Sequence, residues 1–115
     1  MEDNCVFCKI ARGEIKVEIL EETDNFICFL DANPKISGHC LIIPKKHFIN
    51  LVDLPSDLGS ELLFMIKKVA ESKLRQGFEG FNIVSNNFSV AGQVVNHLHV
   101  HFLPRKKGDS LKILE

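Results

Sequence analysis

Two hydrophobic periods run along this chain, and each assigns its own elements. Val17 to Glu21 and Phe26 to Leu30 read as two short strands separated by the turn-forming Thr23-Asp24-Asn25. After the loop chemistry of Asp31-Ala32-Asn33-Pro34 and Ser37-Gly38, the apolar run Cys40-Leu41-Ile42-Ile43 reads as a third, well-buried strand that stops at Pro44. The period then changes. Ser56 after Pro55 is a suitable helix N-cap, and Leu58, Leu62, Met65, Ile66, Val69 and Leu74 recur at spacings of three to five, which predicts one long amphipathic helix. Glu71 and Arg75 stand four apart on its polar side, and Gly77 is its expected stop. Phe81 to Ser85 predicts a fourth strand, Asn86 to Asn96 a polar loop, and His97 to Leu103 a fifth strand closed by Pro104. The expected fold class is α+β with a largely antiparallel sheet covered by the helix.

Composition narrows the function classes more than the fold. The 115 residues suit one domain, expected over residues 1–115, and no repeat, low-complexity tract or linker divides them. Fourteen basic against fifteen acidic residues leave a net charge of -1, so no global field points to nucleic acid. The longest apolar runs, Phe26 to Leu30 and Leu62 to Ile66, fall far short of the roughly 20 residues of a membrane helix. Met1 to Asn4 is acidic and lacks the basic and apolar stretches of a signal peptide, so a cytoplasmic location is the expectation. In that compartment the four cysteines read as metal ligands or redox groups before they read as disulfides. Cys28 and Cys40, inside apolar strands, are expected to be small hydrophobes.

The last strand carries the chemistry. In His97-Leu98-His99-Val100-His101-Phe102-Leu103, histidine alternates with apolar residues, so Leu98, Val100 and Phe102 would face the core and three imidazoles the other side. A single histidine there would be a tolerated surface residue. Three in register call for a function. At about 3.3 Å per residue His97 and His101 begin roughly 13 Å apart, too far to share one ion, although adjacent members could share an ion or a phosphate. A central imidazole flanked by two others suits nucleophilic attack at phosphorus, because a neutral imidazole with a reference pKa of about 6.5 needs no strong base. Cys5 and Cys8 have the spacing that presents two thiolates to zinc, yet a tetrahedral site needs two further ligands; a redox-active pair is the alternative.

These residues resemble the histidine triad family. The likeness covers almost the whole chain: His97 through Leu103 matches its signature, and Cys5-x-x-Cys8-Lys9-Ile10, Phe29-Leu30-Asp31, Gly38-His39, Pro44-Lys45-Lys46-His47, and Asn86 followed by Ala91-Gly92-Gln93 match its order and spacing. The branch most like it contains the histidine triad nucleotide-binding proteins, nucleoside phosphoramidases and dinucleoside polyphosphate hydrolases. The resemblance implies a five-stranded mainly antiparallel sheet with one long helix and a short N-terminal helix. It also implies a homodimer, and a purine nucleotide substrate cleaved at its α-phosphate through a nucleotidyl-histidine intermediate. Neither nucleic acid nor membrane is an expected partner.

By the same resemblance His99 is the nucleophile, His101 the group at the phosphate and departing group, and His97 a supporting catalytic residue. Asp31 would take the ribose hydroxyls, where its alternative reading is a loop cap. Asn86, Gly92 and Gln93 would donate to the phosphate. Phe7, Ile10, Phe29 and Leu30 could flank the base or simply be core. Structural zinc would be held by Cys5, Cys8, His47 and His97. His39, beside Gly38, reads as an ordinary strand-end residue or a support for the site. Arg105, Lys106 and Lys107 form a basic cluster that reads as a solvated tail or as a contact to further phosphates. Two positions depart from the family pattern: Val94 replaces a frequent hydroxyl residue and Phe88 a frequent glycine. The alternatives are therefore a catalytically weak nucleotide- or zinc-binding module, and a metallohydrolase using the triad as ligands.

Overall fold

A computed structural model describes residues 4–114; the acidic start, Met1 to Asp3, and Glu115 lie outside the described residues. Helix α1 (Val6–Ala11) precedes strands β1 (Ile19–Glu22), β2 (Phe26–Leu30) and β3 (Cys40–Pro44). Two short 3₁₀ turns, Leu51–Asp53 and Ser56–Leu58, lead into helix α2 (Gly59–Arg75). Strand β4 (Gly80–Val84), a 3₁₀ turn at Ser89–Ala91 and strand β5 (Val100–Arg105) follow. The five strands form one antiparallel sheet in the order β1-β2-β3-β5-β4. The expected α+β architecture is the observed one, including the short N-terminal helix.

The two faces of the sheet bury different side chains. Phe26, Cys28, Cys40, Ile42, Val100 and Phe102 pack against Met65, Val69 and Ala70 of α2. Ile27, Phe29, Leu41 and Ile43 point the other way and pack against Phe7 and Ile10 of α1. Strands β2 and β3 are covered on both sides, which is why they read as continuous apolar runs. In β5 Val100 and Phe102 face α2 while His101 takes the other side, so the period of two survives there, although Leu103 on that second side is buried as well.

Several boundaries differ from the sequence reading, each for a local reason. Ser56 does not cap α2: it opens a 3₁₀ turn in which the Leu58 N–H donates to the Pro55 carbonyl, and α2 follows without a side-chain cap. Gly77 does end the helix, at φ +104°, with the Gly77 N–H bonded to Leu74 O and the Phe78 N–H to Lys73 O, the Schellman arrangement. Leu74 is exposed, and Lys73 takes the inward position with its ammonium 5.8 Å from the Phe78 ring centroid. Pro104 does not close β5, which continues to Arg105; β3 pairs with β5 only as far as Phe102, so the missing Pro104 N–H lies beyond that ladder.

The largest difference is at the triad. Strand β5 begins at Val100 instead of His97, because the Leu98 N–H turns away to Phe48 O and the His97 ring, not a backbone amide, reaches Pro44 O.

Candidate functional site

Beyond the α2 face lies a row of aromatic rings. His47 and His97 stand 5.0 Å apart, Phe7 packs edge-on against His97 at 5.8 Å and His99 at 5.1 Å, and His99–His101 and His101–His39 are each spaced 5.2 Å between centroids. All three triad imidazoles therefore do share a face, although the first two precede the strand. Val100 and Phe102 point to the opposite, α2-packed core, and Leu98 is also buried.

At one end of the row the Cys5 and Cys8 sulfurs and one nitrogen each of His47 and His97 lie within 4.8 Å of one another. Cys5 caps α1, accepting the Cys8 N–H at 3.4 Å, so the two-residue spacing folds into a helix start that turns both sulfurs one way. His97 Nδ1 is 3.3 Å from Cys5 Sγ and 3.5 Å from Cys8 Sγ, and His47 Nδ1 is 3.3 Å from Cys8 Sγ. A tetrahedral zinc site with ordinary Zn–S and Zn–N bonds has ligand–ligand edges of about 3.3 to 3.8 Å. The tautomer fits as well: His97 Nε2–H donates to Pro44 O at 2.8 Å, which leaves the Nδ1 lone pair facing the thiols. Burial holds His97 well below the usual histidine range, at about 4, so the ring is a neutral ligand. The donor set fits a structural zinc with no open position. It also removes the His97 ring from direct work on a substrate, since both nitrogens are engaged.

His97 still serves the centre through its backbone. Its carbonyl accepts the Nδ1–H of His99 at 2.8 Å, which leaves the lone pair of His99 on Nε2. His99 is buried, with 8% of the residue exposed.

At the other end stand His101, His39 and Asp31. Their ligand atoms also cluster within 4.8 Å, but hydrogen bonding argues against a metal there. The Lys35 backbone N–H donates to His39 Nδ1 at 3.0 Å, which places the His39 proton on Nε2. That proton points at His101 Nδ1, 2.9 Å away, with Asp31 Oδ2 at 3.4 Å. The proton of neutral His101 must then sit on its Nε2, as a donor toward the site. A metal would have to break the His39–His101 hydrogen bond by displacing the His39 Nε2 proton, whereas at the cysteine cluster His97 already turns a lone pair inward beside two thiols that ligate as thiolates. Burial first, and the neighbouring His99 and His39 second, lower His101 to about 4; burial lowers His39 too, so both are neutral near pH 7. His39 is thus far from an ordinary strand-end residue. Nothing local marks it, for its partner lies 62 positions away and only the Leu41–His101 register of β3 and β5 brings the two together.

The remaining expected residues divide. Asp31 makes the loop-cap contact, its Oδ1 accepting the Asn33 N–H at 2.9 Å, while Oδ2 turns to His39 and the residue lines a cavity beside that ring. Asn86 borders the same cavity, and its Nδ2 would lie 3.6 Å from a Cβ on Gly92. Gly92 sits at φ +94°, where a side chain is strained. Gln93 is placed otherwise than expected: its Oε1 accepts the Phe88 N–H at 2.8 Å and its Nε2 donates to Ile49 O and Val95 O, so its amide braces the loop instead of facing a ligand. Its backbone N–H bonds Phe88 O and that of Gly92 bonds Ser89 O, so neither is turned toward a phosphate. Phe7, Ile10 and Phe29 are buried in the α1 cluster. Arg105 leaves the solvated-tail reading: it clasps Asp109 through Nε and Nη2, both at 2.8 Å, and bonds Asn82 and the Leu111 carbonyl. Cys28 and Cys40 are buried as expected, and the hydrogen bond with Cys40 first and burial second push the Cys28 thiol up.

The comparisons with known proteins agree with this geometry. The HIT domain model matches residues 12–108. An uncharacterized HIT-like protein of Methanocaldococcus jannaschii is 45% identical over 91% of this chain and 81% of its own. An adenosine 5′-monophosphoramidase of Candida albicans is 41% identical over 90% of this chain and 71% of its own. An adenylylsulfatase of Arabidopsis thaliana is 39% identical over 96% of this chain, which spans 57% of that protein. The crystal structure of a zinc-bound histidine triad family protein from Mycobacterium smegmatis superposes with a TM-score of 0.89 at 34% identity, over 96% of this chain and 81% of the other. The HIT model match over most of the chain, together with a triad whose rings share one face, makes this protein a member of the HIT family.

Proposed function

We propose that the protein hydrolyses purine nucleoside 5′-phosphoramidates and related nucleotide linkages at the α-phosphate through a nucleotidyl-His99 intermediate. The observation that carries this reading is the bond from His99 Nδ1–H to the His97 carbonyl, which prepares Nε2 as the nucleophile. His99 Nε2 forms the N–P bond as the bond from phosphorus to the leaving amine breaks; His101 Nε2–H hydrogen-bonds the departing nitrogen, which takes its proton from a water molecule. Water then adds to phosphorus, the His99–phosphorus bond breaks, and the proton that water loses passes to the hydroxide left by the first step, releasing the nucleoside monophosphate and neutral His99. Asp31 binds the ribose hydroxyls and the Asn86 amide a phosphate oxygen. Gly92 lets the loop pass close to that amide, and Gln93 holds the loop in place.

Zinc at Cys5, Cys8, His47 and His97 would fasten α1 and the start of the triad, supplying rigidity and no chemical step. The names of two relatives, a phosphoramidase and an adenylylsulfatase, support the reaction class. We place the protein in the cytoplasm and as a homodimer. The second of these is favoured by edge strand β4, which exposes Phe81 and Ile83. The test is AMP release from adenosine 5′-phosphoramidate by the protein and by His99→Ala, with and without a chelator in the assay. Release that resists chelation and vanishes in the variant supports the reading. Nucleotide binding without release would leave a binding module, and release abolished by chelation and restored by divalent metal would mean a metallohydrolase.

A further inference from the structure

The ligands of the proposed zinc site come from three separate stretches of chain, and each stretch also shapes the surroundings of the nucleophile. Cys5 and Cys8 bracket the start of α1, and between them stands Phe7, whose ring lies edge-on to His99 at 5.1 Å between centroids. His47 belongs to the segment that leaves β3. In that segment the Pro44 carbonyl accepts the His97 Nε2–H at 2.8 Å, and the Phe48 carbonyl accepts the Leu98 N–H at 2.6 Å. His97 turns its ring to the cluster and its own carbonyl to the His99 Nδ1–H.

Two physical routes therefore run from the cluster to the His99 ring. One is a hydrogen bond: the carbonyl that orients His99 and selects its tautomer belongs to a residue whose side chain is itself a ligand. The other is packing: Phe7 is the apolar wall of His99, and the six-residue helix that carries it is too short to persist by itself. The cluster also has a way in. Cys8 and His97 are fully buried, whereas Cys5 and His47 are part-exposed and border a cavity of about 370 Å³ shared with Val94 and Val95 of the loop before the triad. An ion has its path past Cys5 and His47.

We propose that the Cys5–Cys8–His47–His97 cluster is a control site for the triad: when these four residues hold zinc, His97 and Phe7 keep the His99 ring fixed, and nucleotide bound at His99 in turn strengthens their hold on the metal. The first half stands on the geometry alone; the effect on nucleotide and turnover rests on the proposed hydrolase reading. The reciprocity is thermodynamic, because two ligands that favour the same arrangement raise each other's affinity by one factor. No chemical step passes through the metal, so loss of zinc slows the reaction without abolishing it.

The His99 Nδ1 proton reads this coupling without any substrate. Observed by NMR in protein labelled with ¹⁵N-histidine and assigned by its loss in His99→Gln, it is expected to be sharp in the zinc-loaded protein. Prolonged stripping should broaden it through exchange with solvent, and added zinc should restore it. Zinc affinity, measured by competition with a chromophoric chelator, should rise about fivefold or more in saturating AMP. For adenosine 5′-phosphoramidate, kcat should fall about tenfold in the stripped protein, and the residual turnover should still vanish in His99→Ala. His47→Ala removes one ligand while Phe7 and the His97 carbonyl stay in the chain. It should show the stripped spectrum at zinc concentrations that fill the unaltered cluster, and it carries the test where complete stripping unfolds the protein. An unchanged His99 signal, or a zinc affinity indifferent to bound AMP, would overturn the control site while the hydrolase reading stands. If AMP does not bind and no phosphoramidate is cleaved, the hydrolase reading fails and the NMR signal alone decides. Broadening without zinc then supports the control site, and an identical signal overturns it.

Discussion

A neutral imidazole has one lone pair and one proton, and at each histidine of this site the neighbours decide which nitrogen has which. Pro44 O takes the His97 proton and frees Nδ1 for the thiols; His97 O takes the His99 proton and frees Nε2 for phosphorus. The Lys35 N–H reverses the order at His39, and through it at His101, which becomes a donor. His39→Ala removes the partner that orients His101 and selects its tautomer, so turnover of amine leaving groups should fall by about ten- to a hundredfold, the usual scale for such a support. A p-nitrophenyl ester of AMP, whose leaving group needs no proton, separates the roles. Its kcat should drop far less than that of the phosphoramidate, and an equal drop would make His39 a purely structural residue. The triad was readable in the sequence because period two is a one-dimensional signal. His39 was readable only as one of two alternatives, a support for the site or an ordinary strand-end residue, because its importance arises from a strand pairing and a backbone N–H that no spacing encodes.

Among elements, the five strands and the long helix were legible in order and type, since each rests on a run of apolar residues of the right period. What was not legible lies where a side chain replaces a backbone partner, as at His97, or where local geometry is bought by a special residue. Gly38 is one such residue: at φ +85°, a Cβ there would lie 3.0 Å from Pro104 Cγ and 3.3 Å from Phe78 Cζ. Gly38→Ala should cost about 2 kcal/mol from the left-handed backbone alone, read as a lower denaturant midpoint with an unchanged slope. Phe88 is the converse. It holds φ +75° and ψ 152°, a region nearly exclusive to glycine, and its side chain is exposed. The Gln93 amide enforces that conformation by binding the Phe88 N–H. Relief of roughly 1 to 3 kcal/mol of strain outweighs the roughly 0.5 to 1 kcal/mol entropic cost of glycine, so Phe88→Gly should raise the denaturant midpoint. A lower midpoint would mean that the exposed ring makes contacts worth more than the strain.

For the whole molecule, the Cys5–Cys8–His47–His97 cluster and the His39–His101 pair stand at two ends of one row of rings, an arrangement that ties stability to pH and, where the cluster takes the proposed zinc, to metal. Helix α1 has only six residues, too few to persist alone, so its place on the sheet depends on Phe7, Ile10 and the cysteine cluster. Prolonged stripping of zinc should lower Tm by more than about 5 °C, since even 1 kcal/mol shifts a domain of this size by that order, and added zinc should restore it. Burial keeps His101 at about 4 against an ordinary 6.5, so between those values the unfolded chain binds a proton that the folded chain refuses. The stability this represents is whole above pH 6.5 and drains away as pH falls toward 4. His39 is lowered in the same sense and adds to the slope, and the nearby charges of Lys35 and Asp31 bear on both rings from the facing loop. In denaturant titrations of zinc-stripped protein, unfolding free energy should be flat from pH 8 to 6.5 and then decline. His101→Gln should make that decline shallower by up to about 1.4 kcal/mol per pH unit, the slope of one proton. Identical slopes in the two proteins would mean that the His101 ring is as free to charge in the folded state as in the unfolded one, and the donor role drawn from its neutral tautomer would fall with it.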